Sequence, residues 1–236
     1  MSAHGSYSAP PFTITVDGLL FDFDGTIVDS TDAIVKHWHK LAEELGVDPK
    51  TILATSHGRR SIDTLALYDK SKANWDYVRH VEGLIPREFG SDATEIPGAR
   101  NLLESLEKAG APWAVVTSGT RPLVEGWLEV LKLAHPRFLV VAEDVEQGKP
   151  DPQCYRLGRS RLNLGESTNI LVVEDAPSGI KAGKAAGFKV VALETTHTIQ
   201  QLKDAGADWI IKDLRSLSLK AVTGQVEIEI RDALQS

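Results

Sequence analysis

The stretch Phe21-Asp22-Phe23-Asp24-Gly25-Thr26 decides how this sequence folds. It follows an apolar run of strand length, and such a run that gives way to acids and glycine is typical of a buried strand ending in a loop. Asp22 and Asp24 are two residues apart, so we expect both carboxylates to point into one crevice. Bare charges are costly there, and Mg²⁺ binds one or two carboxylates together with phosphate oxygens and water. An ordinary turn, in which Gly25 supplies a positive φ and Thr26 a cap, explains the pair equally well.

Further apolar runs of strand length recur along the chain. They occupy residues 19–21, 114–116, 138–141, 170–173, 190–193 and 209–211. Segments with helical periodicity lie between the later runs, for example at residues 98–110 and 121–133. Apolar strands that alternate with helices predict an α/β fold with a Rossmann-like parallel sheet covered on both faces.

A long gap interrupts this alternation after the first strand. About 90 residues separate Phe21 from the next strand, far more than one crossover helix needs. A helical stripe near its start predicts an inserted α-helical cap at residues 30–96, a core at 16–29 and 97–236, and a flexible tail at 1–15. The cap would lie over the carboxyl ends of the strands, where open α/β sheets bind ligands, and would act as a lid. A purely structural decoration is the alternative.

Composition limits the possible partners. The chain has 26 Lys and Arg against 33 Asp and Glu, a net charge of −7, and its longest basic run is Arg59-Arg60. Neither nucleic acid nor a membrane surface is therefore an expected partner. No run approaches the ~18 apolar residues of a membrane span, and no signal peptide is recognisable. Cys154 has no second cysteine to pair with, so we expect a buried thiol and a cytoplasmic setting.

Three later segments bring further polar groups to strand ends or loops. Thr117-Ser118-Gly119-Thr120 offers hydroxyl and backbone N–H groups where a helix begins, which suits an anion, although such clusters also cap ordinary helices. Lys149 lies between Gly148 and Pro150, where it would either offset the charge of a phosphoryl group or remain a solvated loop lysine. Glu174-Asp175 ends another apolar strand with two acids.

Together the four segments resemble the haloacid dehalogenase superfamily, which has four such motifs and a helical cap inserted after the first. The resemblance covers about residues 16–213. It implies that Asp22 is a nucleophile that forms an aspartyl-phosphate and that Asp24 is the general acid and base. Thr117, Ser118 and Lys149 would bind phosphate. Mg²⁺ would be held by Asp22, the carbonyl of Asp24 and Asp175, with Glu174 as a further or outer ligand.

The same resemblance separates several activities. Dehalogenases lack the second aspartate, so Asp24 favours phosphoryl chemistry, and Ser61 stands where phosphonate-cleaving relatives have a lysine. The finer resemblance is to fungal 2-deoxyglucose-6-phosphate and glycerol-3-phosphate phosphatases. The sequence therefore predicts an Mg²⁺-dependent phosphatase of small phosphorylated sugars or polyols. A β-phosphoglucomutase-like phosphomutase is the main alternative, and a non-catalytic binding protein is the other.

The predicted cap contributes candidate substrate contacts. His57, Arg59 and Arg60 would suit a hydroxylated anion, because a basic lid with hydrogen-bond donors complements such a molecule. The alternative is that one or both arginines face solvent or pair with Asp63. We expect a small phosphorylated metabolite as the partner and a monomer as the assembly.

Overall fold

The computed structural model describes residues 6–56 and 58–235. In chain order the strands are β1 (Phe12–Val16), β2 (Gly18–Phe21), β3 (Val28–Asp29), β4 (Thr94–Glu95), β5 (Trp113–Val116), β6 (Leu139–Val140), β7 (Ile170–Glu174), β8 (Lys189–Leu193), β9 (Trp209–Ile211), β10 (Leu217–Val222) and β11 (Val226–Ile230). The helices are α1 (Thr31–Leu45), α2 (Pro49–Ser56), α3 (Ser61–Tyr68), α4 (Trp75–Glu88), α5 (Ala99–Lys108), α6 (Arg121–Leu131), α7 (Gln153–Arg161), α8 (Pro177–Ala185) and α9 (Ile199–Asp204).

The main sheet confirms the predicted α/β class. Within the described residues, six strands lie in the order β6-β5-β2-β7-β8-β9, and every neighbouring pair is parallel. Each apolar run that predicted a strand contributes one. The strand β2 lies between β5 and β7, and its residues are buried, as expected for an inner strand of a parallel sheet covered on both faces.

Alternate residues of the central strands divide the core into two hydrophobic clusters. Leu19 and Phe21 pack into the cluster on one face of the sheet, and Leu20 packs into the cluster on the other. Cys154 belongs to the second cluster, as predicted for a buried free thiol, and burial raises the pKa of that thiol to about 11. Among the described helices, none is both long and apolar enough to cross a membrane.

Four helices, α1 to α4, form a unit between β3 and β4. Buried side chains of these helices make a third hydrophobic cluster of their own, which includes Trp38, Leu65 and Val78. The chain enters and leaves this unit through an antiparallel ribbon, since Val28 pairs with Glu95 and Asp29 with Thr94. We propose this ribbon as the boundary between the α/β core and the cap that the sequence predicted at residues 30–96.

The predicted flexible tail at residues 1–15 is wrong for part of its length. Residues 12–16 form β1, which pairs antiparallel with β11, and β10 pairs with the other side of β11. Phe12 and Ile14 pack against the buried cluster, so the segment gains both a strand partner and apolar contacts. The prediction relied on local Ser, Gly and Pro content, which carries no information about a partner more than 200 residues away. Residues 1–5 of the predicted tail lie outside the described residues.

The helical unit packs tightly on the core through α4 and α6. Gly126 of α6 lies against Pro86 of α4, and a Cβ built on Gly126 would be 2.7 Å from Pro86 Cγ. On the neighbouring turn, a Cβ on Gly83 would be 3.0 Å from Pro122 Cβ. Two glycines therefore allow the two helix backbones to approach more closely than side chains would permit.

We expect Gly126→Ala to destabilise the protein. The added methyl group overlaps Pro86, and overpacking of this kind costs about 1–3 kcal/mol, whereas better helix propensity returns about 1 kcal/mol. Urea unfolding should show a lower free energy of unfolding for the variant than for the wild type. Gly165→Ala is the control, because a Cβ there would meet nothing within 4 Å. An equal or higher stability of Gly126→Ala would contradict this account of the α4–α6 contact.

Candidate active site

The carboxyl ends of three adjacent strands bring the predicted motifs together. Asp22 follows β2, Thr117 follows β5, and Glu174-Asp175 lies at the end of β7. Because β5, β2 and β7 are neighbours and parallel, their ends meet at one edge of the sheet. The sequence signal for this edge was the repeated change from apolar to polar residues at strand ends.

Lys149 links two of these strand ends through a buried ion network. Its Nζ lies 2.5 Å from Asp22 Oδ1, 2.7 Å from Glu174 Oε1 and 3.2 Å from the carbonyl oxygen of Val116. Lys149 is 4% exposed, so the alternative of a solvated loop lysine is wrong. Burial alone would lower the pKa of Lys149, but the carboxylates of Asp22 and Glu174 outweigh burial and raise it far above its usual range. Lys149 therefore carries a fixed positive charge.

Glu174 is held by donors on both carboxylate oxygens. Oε1 accepts from Lys149 and, at 2.9 Å, from the hydroxyl of Tyr155, while Oε2 accepts the backbone N–H groups of Asp175 and Ala176. Gly179 allows this arrangement, because a Cβ there would lie 1.5 Å from Glu174 Oε1. The carboxylate of Glu174 is thus a fixed anchor for the ammonium group of Lys149.

Three carboxylates form a cluster that can hold a cation. Oxygen atoms of Asp22, Glu174 and Asp175 lie within 4.8 Å of one another, and all three residues are buried. Their three negative charges exceed the single positive charge of Lys149 by two when all are ionised. Burial, together with the charges of Glu174 and Asp175, raises the pKa of Asp22. Oxygen ligands with this excess charge fit a hard divalent cation.

Asp24 lies in a tight turn beside this cluster. The hydroxyl of Ser30 donates to Asp24 Oδ1 at 2.6 Å and so orients the carboxyl group. Gly25 has a φ of 85°, and a Cβ there would lie 2.2 Å from Asp175 Oδ2. Only glycine combines that left-handed backbone with so close an approach, so the turn that carries Asp24 lies against Asp175.

The predicted anion loop, residues 117–120, lies beside the same cluster. The hydroxyl groups of Thr117 and Ser118 already have partners, whereas that of Thr120 is buried without a hydrogen-bond partner among the described residues. The Thr117 hydroxyl accepts the N–H of Gly119 at 2.9 Å, which folds the loop back on itself. The Ser118 hydroxyl donates to the carbonyl of Gly58 at 3.1 Å, as does the hydroxyl of Ser178. Ser118 therefore joins the cap to the core, a contact that the sequence did not indicate.

The cap residues predicted to contact substrate lie in different places. Arg59 is exposed and lines the pocket that also contains Asp22 and Asp24. Arg60 is buried, and its guanidinium group donates to Asp63 and to the carbonyls of three residues of the core, Ala142, Val145 and Glu146. The expected substrate contact of Arg60 is wrong, because its donors are occupied, and the alternative pairing with Asp63 is confirmed. His57 lies outside the described residues.

Glu82 of α4 is a pocket residue that the sequence reasoning missed. It is 3% exposed, and it accepts the Ser61 hydroxyl on Oε1 at 2.5 Å and the Thr120 N–H on Oε2 at 2.7 Å. Burial raises the pKa of Glu82 to about 7, although its hydrogen bonds with Ser61 and Thr120 act in the opposite direction. An acid on the buried stripe of an otherwise amphipathic helix was the available signal.

Sequence and structure comparisons agree on one family. The sequence profile described as haloacid dehalogenase-like hydrolase matches residues 19–193. Glycerol-1-phosphate phosphohydrolase 1 of Saccharomyces cerevisiae is 37% identical over 95% of this chain and 94% of its own length. 2-Deoxyglucose-6-phosphate phosphatase 1 of the same yeast is 37% identical over 87% and 91%. The fold matches a crystal structure of a hydrolase from Pseudomonas syringae with a TM-score of 0.72 at 23% identity, over 84% of this chain and 94% of that one.

We expect Glu82→Gln to remove a pH-dependent loss of stability. Below the ordinary carboxyl pKa of 4.5, Glu82 is neutral in both the folded and the unfolded chain. As pH rises from about 4.5 to about 7, the unfolded chain releases this proton while the folded protein keeps it. The free energy of unfolding therefore falls over that window, by roughly 3 kcal/mol in total, and the glutamine side chain of the variant has no proton to release.

Urea unfolding of both proteins between pH 5 and pH 8 measures this effect as variant minus wild type. The free energy of unfolding of the variant, relative to that of the wild type, should increase as pH rises. Burial lowers the pKa of His37 to about 4 and produces a slope of the opposite sign, but this slope is common to both proteins and cancels. A difference that stays constant with pH would show that Glu82 is ionised throughout.

Proposed function

Since this chain belongs to the haloacid dehalogenase-like hydrolase family, we propose that it is an Mg²⁺-dependent phosphatase of small polyol or sugar phosphates. The observation that carries the proposal is the buried network of Asp22, Lys149 and Glu174 beside Asp175 at the strand ends. It combines a nucleophile, a fixed cation and a cation-binding cluster in one crevice.

The relatives support the substrate class. Two phosphatases from yeast, at 37% identity and over most of the chain, carry the names of a phosphorylated polyol and a phosphorylated sugar. Both names describe phosphate monoesters of small hydroxylated molecules. The first names glycerol 1-phosphate, whereas the sequence prediction specified glycerol 3-phosphate, so both enantiomers belong in the substrate panel.

Asp22 would start the reaction as the nucleophile. Its carboxylate oxygen attacks phosphorus, the bond from phosphorus to the ester oxygen breaks, and an aspartyl-phosphate forms. Asp24 donates a proton to the leaving alcohol, then takes a proton from the water that attacks the aspartyl-phosphate and releases inorganic phosphate. The hydrogen bond from Ser30 keeps Asp24 oriented for both transfers.

Lys149 and the loop at residues 117–119 would bind the transferring phosphoryl group. The ammonium group lies against Asp22, where negative charge develops on the phosphoryl oxygens. Backbone N–H groups of the loop add donors at the same edge of the sheet. Because Ser118 donates its hydroxyl to Gly58, we assign phosphate binding at that residue to the backbone N–H.

The proposed Mg²⁺ would be held by Asp22, Asp175 and the carbonyl of Asp24, with Glu174 as an outer group. When bound, Mg²⁺ would offset the charge of the phosphoryl oxygens. Glu174 suits the outer position because donors already engage both of its oxygens. Thr196 donates its hydroxyl to Asp175 and so orients that carboxylate.

Hydrolysis is favoured over phosphomutase chemistry by the names of the yeast relatives, which describe phosphate release. Both activities use the same four motifs, so the residues of the core do not separate them. Incubation with a hexose 1-phosphate separates them directly, because a mutase yields the 6-phosphate and a phosphatase yields free phosphate. The monomeric state and the cytoplasmic setting stay predictions from the sequence.

We expect Asp22→Asn to abolish phosphate release. An amide is a poor nucleophile, and loss of the nucleophile lowers kcat by roughly 10³-fold or more. The measurement is release of inorganic phosphate from glycerol 1-phosphate, glycerol 3-phosphate and 2-deoxyglucose 6-phosphate. Chelation of divalent cations should stop the wild-type reaction, and added Mg²⁺ should restore it.

Asp76→Asn is the matched control, because the Asp76 side chain is 93% exposed on α4 and pairs only with nearby Arg79 among the contacts of the described residues. It should retain wild-type activity. Full activity of Asp22→Asn, or wild-type activity that survives complete chelation, would overturn the proposed function. Accumulation of a hexose 6-phosphate from the 1-phosphate, without free phosphate, would establish the mutase instead.

A further inference from the structure

Glu82 is a buried carboxyl group in the pocket to which the proposed mechanism gives no task. It comes from the cap, whereas the proposed catalytic residues all come from the core. The same pocket is lined by Asp24, Ser61 and Leu123. A buried ionisable group is costly to maintain because it loses contact with water, so its position within a substrate pocket calls for a functional explanation.

The contacts of Glu82 place it on the side of the pocket where the alcohol leaves. Glu82 Oε2 accepts the N–H of Thr120, and the preceding residue, Gly119, faces Asp24. A Cβ built on Gly119 would lie 3.6 Å from Asp24 Oδ2. Asp24 is the proposed proton donor to the leaving alcohol, so we place the part of the alcohol next to the ester bond on this side of the pocket, between Asp24 and Glu82.

Neither the carboxyl group nor its helix is free to turn away. Ser61 and Thr120 donate to separate oxygens of Glu82, which leaves each oxygen able to accept one more hydrogen bond. The helix α4 is held against α6 by the Gly126–Pro86 contact. A bound substrate must therefore place a complementary group at the position in which these contacts hold the Glu82 carboxyl group.

We propose that Glu82 determines specificity by accepting a hydrogen bond from a hydroxyl group near the ester bond and rejecting substrates that carry a carboxylate there. This inference rests on the proposed phosphatase function and narrows its substrate class to uncharged, hydroxylated leaving groups. A hydroxyl group donates to a free lone pair of Glu82. When Glu82 is ionised, a substrate carboxylate would instead bring a second negative charge into a buried, weakly screened site. Arg59 lines the same pocket but is exposed, so water screens its charge more strongly than it screens charges at the buried Glu82.

Three phosphate esters that differ beside the ester carbon test this inference. Glycerol 1-phosphate carries a hydroxyl group there, phosphoglycolate carries a carboxylate, and ethyl phosphate carries only a methyl group. We expect Glu82→Gln to lower kcat/KM for glycerol 1-phosphate by about 10-fold and to raise it for phosphoglycolate by about 10-fold. Ethyl phosphate should change by less than about 3-fold, because it makes no polar contact there. Assays at pH 8 keep the carboxyl group ionised.

Glu88→Gln is the matched control, since Glu88 lies on the same helix and loses the same charge but is exposed outside this pocket. It should leave all three kcat/KM values unchanged. If Glu82→Gln changes kcat/KM for all three esters in the same direction and by the same factor, the inference is overturned and Glu82 has a purely structural role. If thermal unfolding shows that Glu82→Gln does not fold, Glu82→Asp is the second test. Glu82→Asp should lower kcat/KM for glycerol 1-phosphate, while kcat/KM for phosphoglycolate stays low. An equal fractional loss of kcat/KM for all three esters would contradict the inference.

Assays of the wild-type protein distinguish failure of this inference from failure of the proposed function. If the wild type hydrolyses none of these esters, and neither glycerol 3-phosphate nor 2-deoxyglucose 6-phosphate, with Mg²⁺ present, the proposed function fails. If it hydrolyses all three with the same kcat/KM, the phosphatase assignment stands and the role of Glu82 is refuted.

Discussion

The ammonium group of Lys149, buried between Asp22 and Glu174, is the interaction on which the rest of the site depends. Buried charges are tolerated when they are paired and hydrogen-bonded, and Glu174 meets this condition through four donors. Asp22 and Asp175 share the same buried space, so one lysine does not balance the three acids. The remaining charge gives the crevice its proposed capacity to bind a divalent cation and then a phosphate dianion.

The fold supplies the close approaches that this network requires. Parallel strands bring the acids to one edge, and glycines at positions 25 and 179 leave room for Asp175 and Glu174. The cap meets the core at separate points, through the α4–α6 contact, the Gly58 carbonyl and the buried guanidinium group of Arg60. Residues of both parts line the pocket between them, and Glu82 is among those that the cap contributes.

Much of this arrangement could be predicted from local sequence. Apolar runs located the strands of the main sheet, and acids at the ends of two runs located the crevice, because both signals depend on neighbouring residues alone. Strand β1 and the core partners of Arg60 could not be predicted, since the groups they pair with are distant in sequence and, for Arg60, are backbone carbonyls that leave no residue-type signal. Glu82 was missed for a related reason: its importance comes from burial against Thr120, which only the docking of α4 on the core produces.

The excess negative charge around Lys149 is proposed to form a divalent cation site. Thermal unfolding of the wild type and of Asp175→Asn, with and without Mg²⁺ at equal ionic strength, measures whether such a site exists. A ligand that binds only the folded state at 100 times its Kd stabilises it by about 2.7 kcal/mol, which corresponds to a rise in Tm of roughly 5–10 °C for a chain of this size. We predict such a rise for the wild type and little or none for Asp175→Asn. No rise in Tm for the wild type, or an equal rise for both proteins, would show that these carboxylates do not form a divalent cation site.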